Sequence, residues 1–180
     1  MTTIAQLRKT AMSLQAATEE PRGSGTVAFT VHGRRFAATG GNNEALLHLP
    51  EAEAVEFLAA YPAAGRLTHG GKSIGVRVGL GDIKGQQLNH WVRRAWLSRA
   101  PKRLVAQATA ADNAVPGAVG DLPSAIGRPA THALTAAGIT TLAQVAERTR
   151  ADLQAMHGVG PRAVGILHDA LSAEGRSFQD

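Results

Sequence analysis

Cysteine is absent from this 180-residue chain. That excludes a disulfide framework, a thiolate metal site and a thiol nucleophile. Aromatic residues make up only 4%, too few to furnish a row of stacking platforms for single-stranded nucleic acid. No apolar run reaches the length of a membrane span, and the first residues lack the apolar stretch of a secretory signal. A cytoplasmic protein with no membrane partner is therefore expected. The seven histidines are scattered, and none forms an i, i+4 pair of the kind that binds metal on a helix. No Ser/His/Asp set or close carboxylate pair stands out. The expectation is a non-enzymatic protein without cofactor or metal. Gly71-Lys72-Ser73 ends like a phosphate-binding loop, but the upstream glycine spacing is wrong and a strand-like segment follows instead of a helix. A basic hairpin tip is the better reading.

What is present is positive charge, unevenly placed. The net charge is +5. Residues 1–110 hold fourteen Lys/Arg against seven Asp/Glu, while 111–180 hold five against seven. From Ile83 to Ala111 there are six basic side chains and no acid. Arg93, Arg94 and Arg99, with Lys102 and Arg103, form the densest cluster. Such a run serves either as a solvated helix face or as a binding face for a polyanion. Trp91 and Trp96 fall with Leu88, Val92 and Ala95 at core spacing on one side of the same helix.

The N-terminal half reads as α+β. Residues 3–17 suit an amphipathic helix carrying Ile4, Leu7, Ala11 and Leu14. Val27, Phe29 and Val31 alternate, His32-Gly33 turns, and Arg34 to Ala38 returns, a hairpin signal. Leu46 to Leu49 suits a third strand, Pro50 opens a helix to about Ala60, and Ile74 to Leu80 alternates as a fourth strand. Helices follow Asp82 and Pro101. This order, with Gly33-Arg34-Arg35-Phe36-Ala37, Leu49-Pro50-Glu51, Tyr61-Pro62, Val76-Arg77-Val78, and Ala95-Trp96 through Ala100-Pro101-Lys102-Arg103-Leu104-Val105, resembles the MmcQ/YjbR-like family over about residues 1–108. The resemblance implies a "double-wing" domain, an antiparallel sheet with packed helices, often labelled DNA-binding. Many members place a tryptophan just before the Val-Arg-Val strand, and this chain has Gly75 there.

The C-terminal half reads as a small all-α domain over 121–180. Thr141 can cap a short helix to about Arg148, and Thr149 another through Met156. Gly138 suits a helix C-terminus. Between helices lies His157-Gly158-Val159-Gly160-Pro161-Arg162. Proline fits the first helical position, where no N–H donor is needed, and glycine permits unusual backbone angles and close approach. The new helix presents free N–H groups and its positive dipole end, an anion site to which Arg162 adds charge. With Leu134, Gly138-Ile139-Thr140-Thr141-Leu142, Leu153, Leu167, Leu171 and Gly175-Arg-Ser-Phe178, the segment resembles the helix-hairpin-helix domain at the C-terminus of the bacterial RNA polymerase α subunit, over roughly 121–178. The resemblance implies phosphate contact through Gly160 and Arg162. The family's minor-groove arginine falls on Pro129, with Arg128 one residue early.

Residues 109–120 lack periodicity and strong anchors and read as a linker of small residues. The leading expectation is a two-domain protein that binds duplex DNA through its phosphate backbone, with weak sequence preference. The residues expected to carry it are His157, Gly158, Val159, Gly160, Arg162 and Arg128, supported by Arg93, Arg94 and Arg99. Two alternatives stay open: an adaptor that docks a transcription or repair protein, and a small-ligand or enzymatic role of the N-terminal domain.

Overall fold

The alternation of Val27, Phe29 and Val31 forms a strand, but one of six where the sequence indicates four. In the computed structural model, which describes residues 2–23 and 25–179, the chain is α+β and divides into two units, Met1–Pro101 and Lys102–Asp180. The first unit runs α1 (Ile4–Met12), β1 (Ala17–Arg22), β2 (Thr26–Val31), β3 (Arg34–Thr39), β4 (Glu44–Leu47), α2 (Glu51–Ala60), β5 (Gly65–His69), β6 (Lys72–Gly79) and α3 (Gly85–Arg99). The strands form one sheet in the order β1-β2-β3-β4-β6-β5, with every neighbouring pair antiparallel.

The two strands that pattern reading overlooks are the two edges. Strand β1 is largely exposed and contains Pro21, which an edge tolerates because its outer side needs no ladder donor. It also takes Ala17 from the helix expected over 3–17: α1 ends at Met12, and Ala16 adopts a left-handed φ of 56° that turns the chain. Strand β5 is likewise mostly exposed. It returns through Gly70 and Gly71, both at positive φ, so Gly71-Lys72-Ser73 is the tip of a β-hairpin and Lys72 begins a strand.

Helix α3 lays Leu88, Trp91, Val92, Ala95 and Trp96 into the core. The Trp91 ring meets the edge of Phe57 from α2 at 5.0 Å, and Trp96 donates its indole N–H to the Gln15 carbonyl at 3.2 Å. Both tryptophans are buried, as their helical spacing indicates.

Two register shifts bend the sheet. Between β2 and β3, Thr30 faces Arg35 and Phe29 faces Ala37, leaving Phe36 as the extra residue. Between β5 and β6, Leu67 faces Gly75 and Thr68 faces Ser73, leaving Ile74 extra. Bulges of this kind bend a strand and re-aim side chains. Gly75 has φ +151°, and a Cβ there would overlap the Leu47 carbonyl. The tryptophan of MmcQ/YjbR-like proteins has no room at this position.

The second unit contains α4 (Lys102–Asp112), a 3-10 turn (Ser124–Ile126), α5 (Gly127–Ala136), α6 (Leu142–Ala146), α7 (Arg150–Ala155) and α8 (Pro161–Ala173). Leu134, Val145, Leu153, Val164, Leu167 and Leu171 centre its core. Capping boxes close the starts of α6 at Thr141–Gln144 and of α7 at Thr149–Asp152. Gly138, at φ +78°, ends α5 while Ile139 N–H donates back to the Leu134 carbonyl at 2.9 Å, the arrangement expected of a C-terminal glycine.

The linker expected over 109–120 is replaced by packed structure. Residues 109–112 complete α4, and Val119 packs on the core. A Cβ on Gly120 would overlap the Thr140 carbonyl, and the Asp121 carboxylate accepts from the Leu142 N–H at 2.6 Å. Small residues lack a sequence period, yet they allow the backbone approach that this packing uses. Helix α4 runs against α5, with Gln107 reaching the Gly138 turn, and the boundary between units lies at Pro101/Lys102 instead of near 108.

A fragment 102–180 should therefore melt at a higher temperature than 121–180, which loses α4 and the Gly120 contact. Equal melting temperatures by circular dichroism would show that α4 contributes nothing to this unit. In the first unit, Gly75→Ala should cost at least about 3 kcal/mol, the upper end of overpacking penalties, read as a lower urea midpoint of the full chain.

Candidate nucleic-acid interface

The turn between α7 and α8 divides its duties among four residues. Met156 ends α7, and its carbonyl accepts from the Val159 N–H at 3.0 Å. Gly158 takes φ +98°, and a Cβ there would lie 2.8 Å from the Pro129 carbonyl oxygen. This glycine is required both by its left-handed angle and by close packing on α5. Val159 turns inward and is 4% exposed. Its expected place among the DNA-contacting residues is corrected accordingly: its side chain belongs to the core and its N–H is already bonded.

Gly160 is the N-cap of α8, with φ −85°, and Pro161 follows at the first helical position. Nothing lies within 4 Å of a Cβ on Gly160. The openness at this glycine faces outward, whereas the backbone requirement sits at Gly158. No side chain caps α8, in contrast to α6 and α7. The N–H groups of Arg162 and Ala163 lie in the first turn, where the helix itself supplies no acceptor. Arg162 and His157 are exposed. Arg128 is exposed too, and it adjoins Pro129, the residue against which Gly158 packs. The fold thus brings the α5 start beside the turn, and Gly160, Arg162, His157 and Arg128 belong to one neighbourhood.

The arginines of α3 do not form the single face expected of them. At about 100° per residue, positions 94 and 99 point roughly 100° and 240° around the helix from position 93. Arg94 is paired with Glu53 at 3.2 Å and Glu56 at 3.0 Å, and it stacks on Trp91 at 4.9 Å. It is held within the unit and does not await a polyanion. Arg93 is half-buried and already engaged. Arg99 points elsewhere, into a cavity it shares with Arg22, Arg34 and Arg35. The sequence cluster missed this set because its members come from β1, β3 and α3. The pairing of Arg34 with Arg35 in a strand next to a bulge was its only local sign.

Among the described residues, no group of three His, Asp or Glu could hold a metal ion, and no helix is long and apolar enough to cross a membrane.

No family model matches the chain, and no curated protein matches it. Among solved structures, the chain is similar to the crystal structure of Deinococcus radiodurans protein DR2400, a DUF419 domain. The identity is 24% and the TM-score 0.48, over 54% of this chain and 78% of that one.

The two glycines of the turn should respond differently to substitution. Gly158→Val should destabilise the second unit by about 1–3 kcal/mol, the cost of a strained left-handed residue, with more from the Pro129 contact. Gly160→Ala should leave stability within about 0.5 kcal/mol, as at an unconstrained surface position. Urea midpoints of the two variants check this ordering.

Proposed function

We propose that the chain is a non-enzymatic DNA-binding protein, an MmcQ/YjbR-like unit followed by a helix-hairpin-helix unit, that grips duplex phosphate through the α7–α8 turn. The observation that carries the reading is the uncapped, sterically open start of α8 at Gly160, with exposed Arg162 beside it. A phosphate at that point would accept from first-turn N–H groups and meet the positive end of the helix dipole. Arg162 supplies a charge-assisted donor. Arg128, adjoining the residue that supports Gly158, supplies a second cation along the backbone. Contacts of this type position a protein on DNA without reading its bases, so sequence preference is weak.

The charge distribution supports a modest affinity. The second unit carries seven Lys/Arg and seven Asp/Glu, a net of zero, so the whole net charge of +5 resides in Met1–Pro101. A neutral module depends on a few well-placed contacts instead of a broad field. Cytoplasmic DNA, and the transcription or repair machinery assembled on it, is the setting that fits the reading.

Fluorescence anisotropy of the full chain with a labelled duplex, at several salt concentrations, tests it. Arg162→Ala and Arg128→Ala should each weaken binding by about 1.5–3 kcal/mol, as for a charged hydrogen bond. Each should also reduce the slope of log K against log salt by about 0.9. Gly160→Val should weaken binding further by blocking the phosphate, with a melting curve to show that it stays folded. Arg94→Ala should leave the slope unchanged, because its charge is spent on Glu53 and Glu56. Parental DNA binding by folded Arg162→Ala, Arg128→Ala and Gly160→Val variants would leave the turn a structural element and favour the protein-adaptor reading.

A further inference from the structure

The first unit contains a cavity of about 650 Å³, within the range of small-molecule sites. Arg22, Arg34, Arg35 and Arg99 line it, together with His48 and His69, and no carboxylate does among the described residues. Leu46, Leu67, Ile74 and Ala38 supply apolar wall. We infer that this cleft binds a small phosphorylated ligand, its phosphate held by the four guanidinium groups and its non-phosphate body against the apolar wall.

Four like charges in one cleft repel one another, and a protein keeps them together at a cost unless an anion offsets it. Ion pairs relieve three other arginines of the unit: Arg8 pairs with Glu19, Arg66 with Glu51 and Arg94 with Glu53 and Glu56. No such pair forms at Arg22, Arg34, Arg35 or Arg99 among the described residues. The Arg35 Nε is buried and has no hydrogen-bond partner, an expensive state for a charged group without an acceptor. Its guanidinium is held below the usual arginine range by burial first and by Arg22 second, with Glu20 acting in the opposite direction. Guanidinium forks match phosphate oxygens in pairs, which suits a phosphate better than a halide or a single carboxylate.

The sheet is shaped for this. The extra residue Phe36 follows Arg35, and its carbonyl accepts from the His48 N–H at 2.9 Å. The other extra residue, Ile74, itself lines the cleft, as does His48. Both register shifts therefore lie at the cavity, where bulges commonly re-aim side chains toward a site. His48 is 8% exposed, and its pKa is lowered to about 4 by burial, then by Arg99 and Arg35. It is a neutral donor or acceptor at physiological pH, and its ring reports on charge in the cleft.

Isothermal titration of the full chain with inorganic pyrophosphate and with ADP, at low ionic strength, tests the assignment. Pyrophosphate should bind with a dissociation constant below about 1 mM, and ADP more tightly because it also reaches the apolar wall. Arg34→Gln and Arg99→Gln should each weaken both by about tenfold or more, while Lys9→Gln, on exposed α1, should not. Arg35→Gln tests the buried donor where melting curves show it folded. By NMR, the His48 ring titration should move upward when pyrophosphate is bound, because an anion now faces it beside Arg99, Arg35, Arg22, Arg34, His69 and Glu20. Without ligand, stability should fall as pH drops from about 6.5 toward 4, since unfolded His48 protonates first; pyrophosphate should reduce that loss. No saturable binding up to ~10 mM, an equal effect of Lys9→Gln, or an unmoved His48 titration would overturn the assignment. Duplex DNA that shifts His48 and displaces pyrophosphate more tightly than ADP does, with the same arginine dependence, would overturn it in favour of nucleic acid.

Discussion

The close approach of Gly75 to the Leu47 carbonyl is the constraint around which the first unit is arranged. It lets β6 lie against β4 at a point where any side chain would hold the strands apart. The neighbouring Ile74 is then left over from the β5–β6 ladder, and Gly75 itself lies against the His48 backbone. His48 in turn ties its own N–H to the bulged Phe36. One missing Cβ thus links both irregularities of the sheet and sets the floor of the arginine-lined cleft. A regular six-stranded ladder would have no reason to direct Arg35 and Ile74 toward the same space.

Charge follows the same division as packing. The second unit is neutral, and side-chain caps close the starts of α6 and α7 but not of α8. The first unit holds the net positive charge, but much of it is neutralised locally. Helix α3 shows how misleading a linear count can be. Its arginines sit close in sequence, yet one is clamped by two glutamates and stacked on Trp91, and another enters the cleft. A helix distributes neighbouring residues around its axis, so charge density along the chain does not become charge density on a surface.

The α7–α8 turn separates two roles that both fall to glycine. Gly158 is demanded by the fold, through its positive φ and the Pro129 carbonyl. Gly160 is not demanded by backbone angle or by packing, and this freedom leaves the helix start accessible. In the sequence the two glycines look equivalent, separated by one valine. The valine between them is a core residue, and its inward turn sets which glycine faces outward.

Much of the second unit was legible in the sequence because its determinants are local. Thr141 and Thr149 cap the helices they precede, Gly138 ends α5, and Pro161 to Ala173 is one helix. These features depend on hydrogen bonds spanning three to five residues, which local residue type specifies. The central strands and the buried tryptophans were legible for a similar reason, since periodicity records which side of an element is apolar. The edge strands β1 and β5 were not, because an exposed edge needs no apolar alternation and β1 even admits a proline. Nor was the packing of 109–120, whose small residues act through backbone proximity. Only the tertiary structure decided which arginines are paired and which converge, because convergence depends on register shifts between strands that pair across tens of residues.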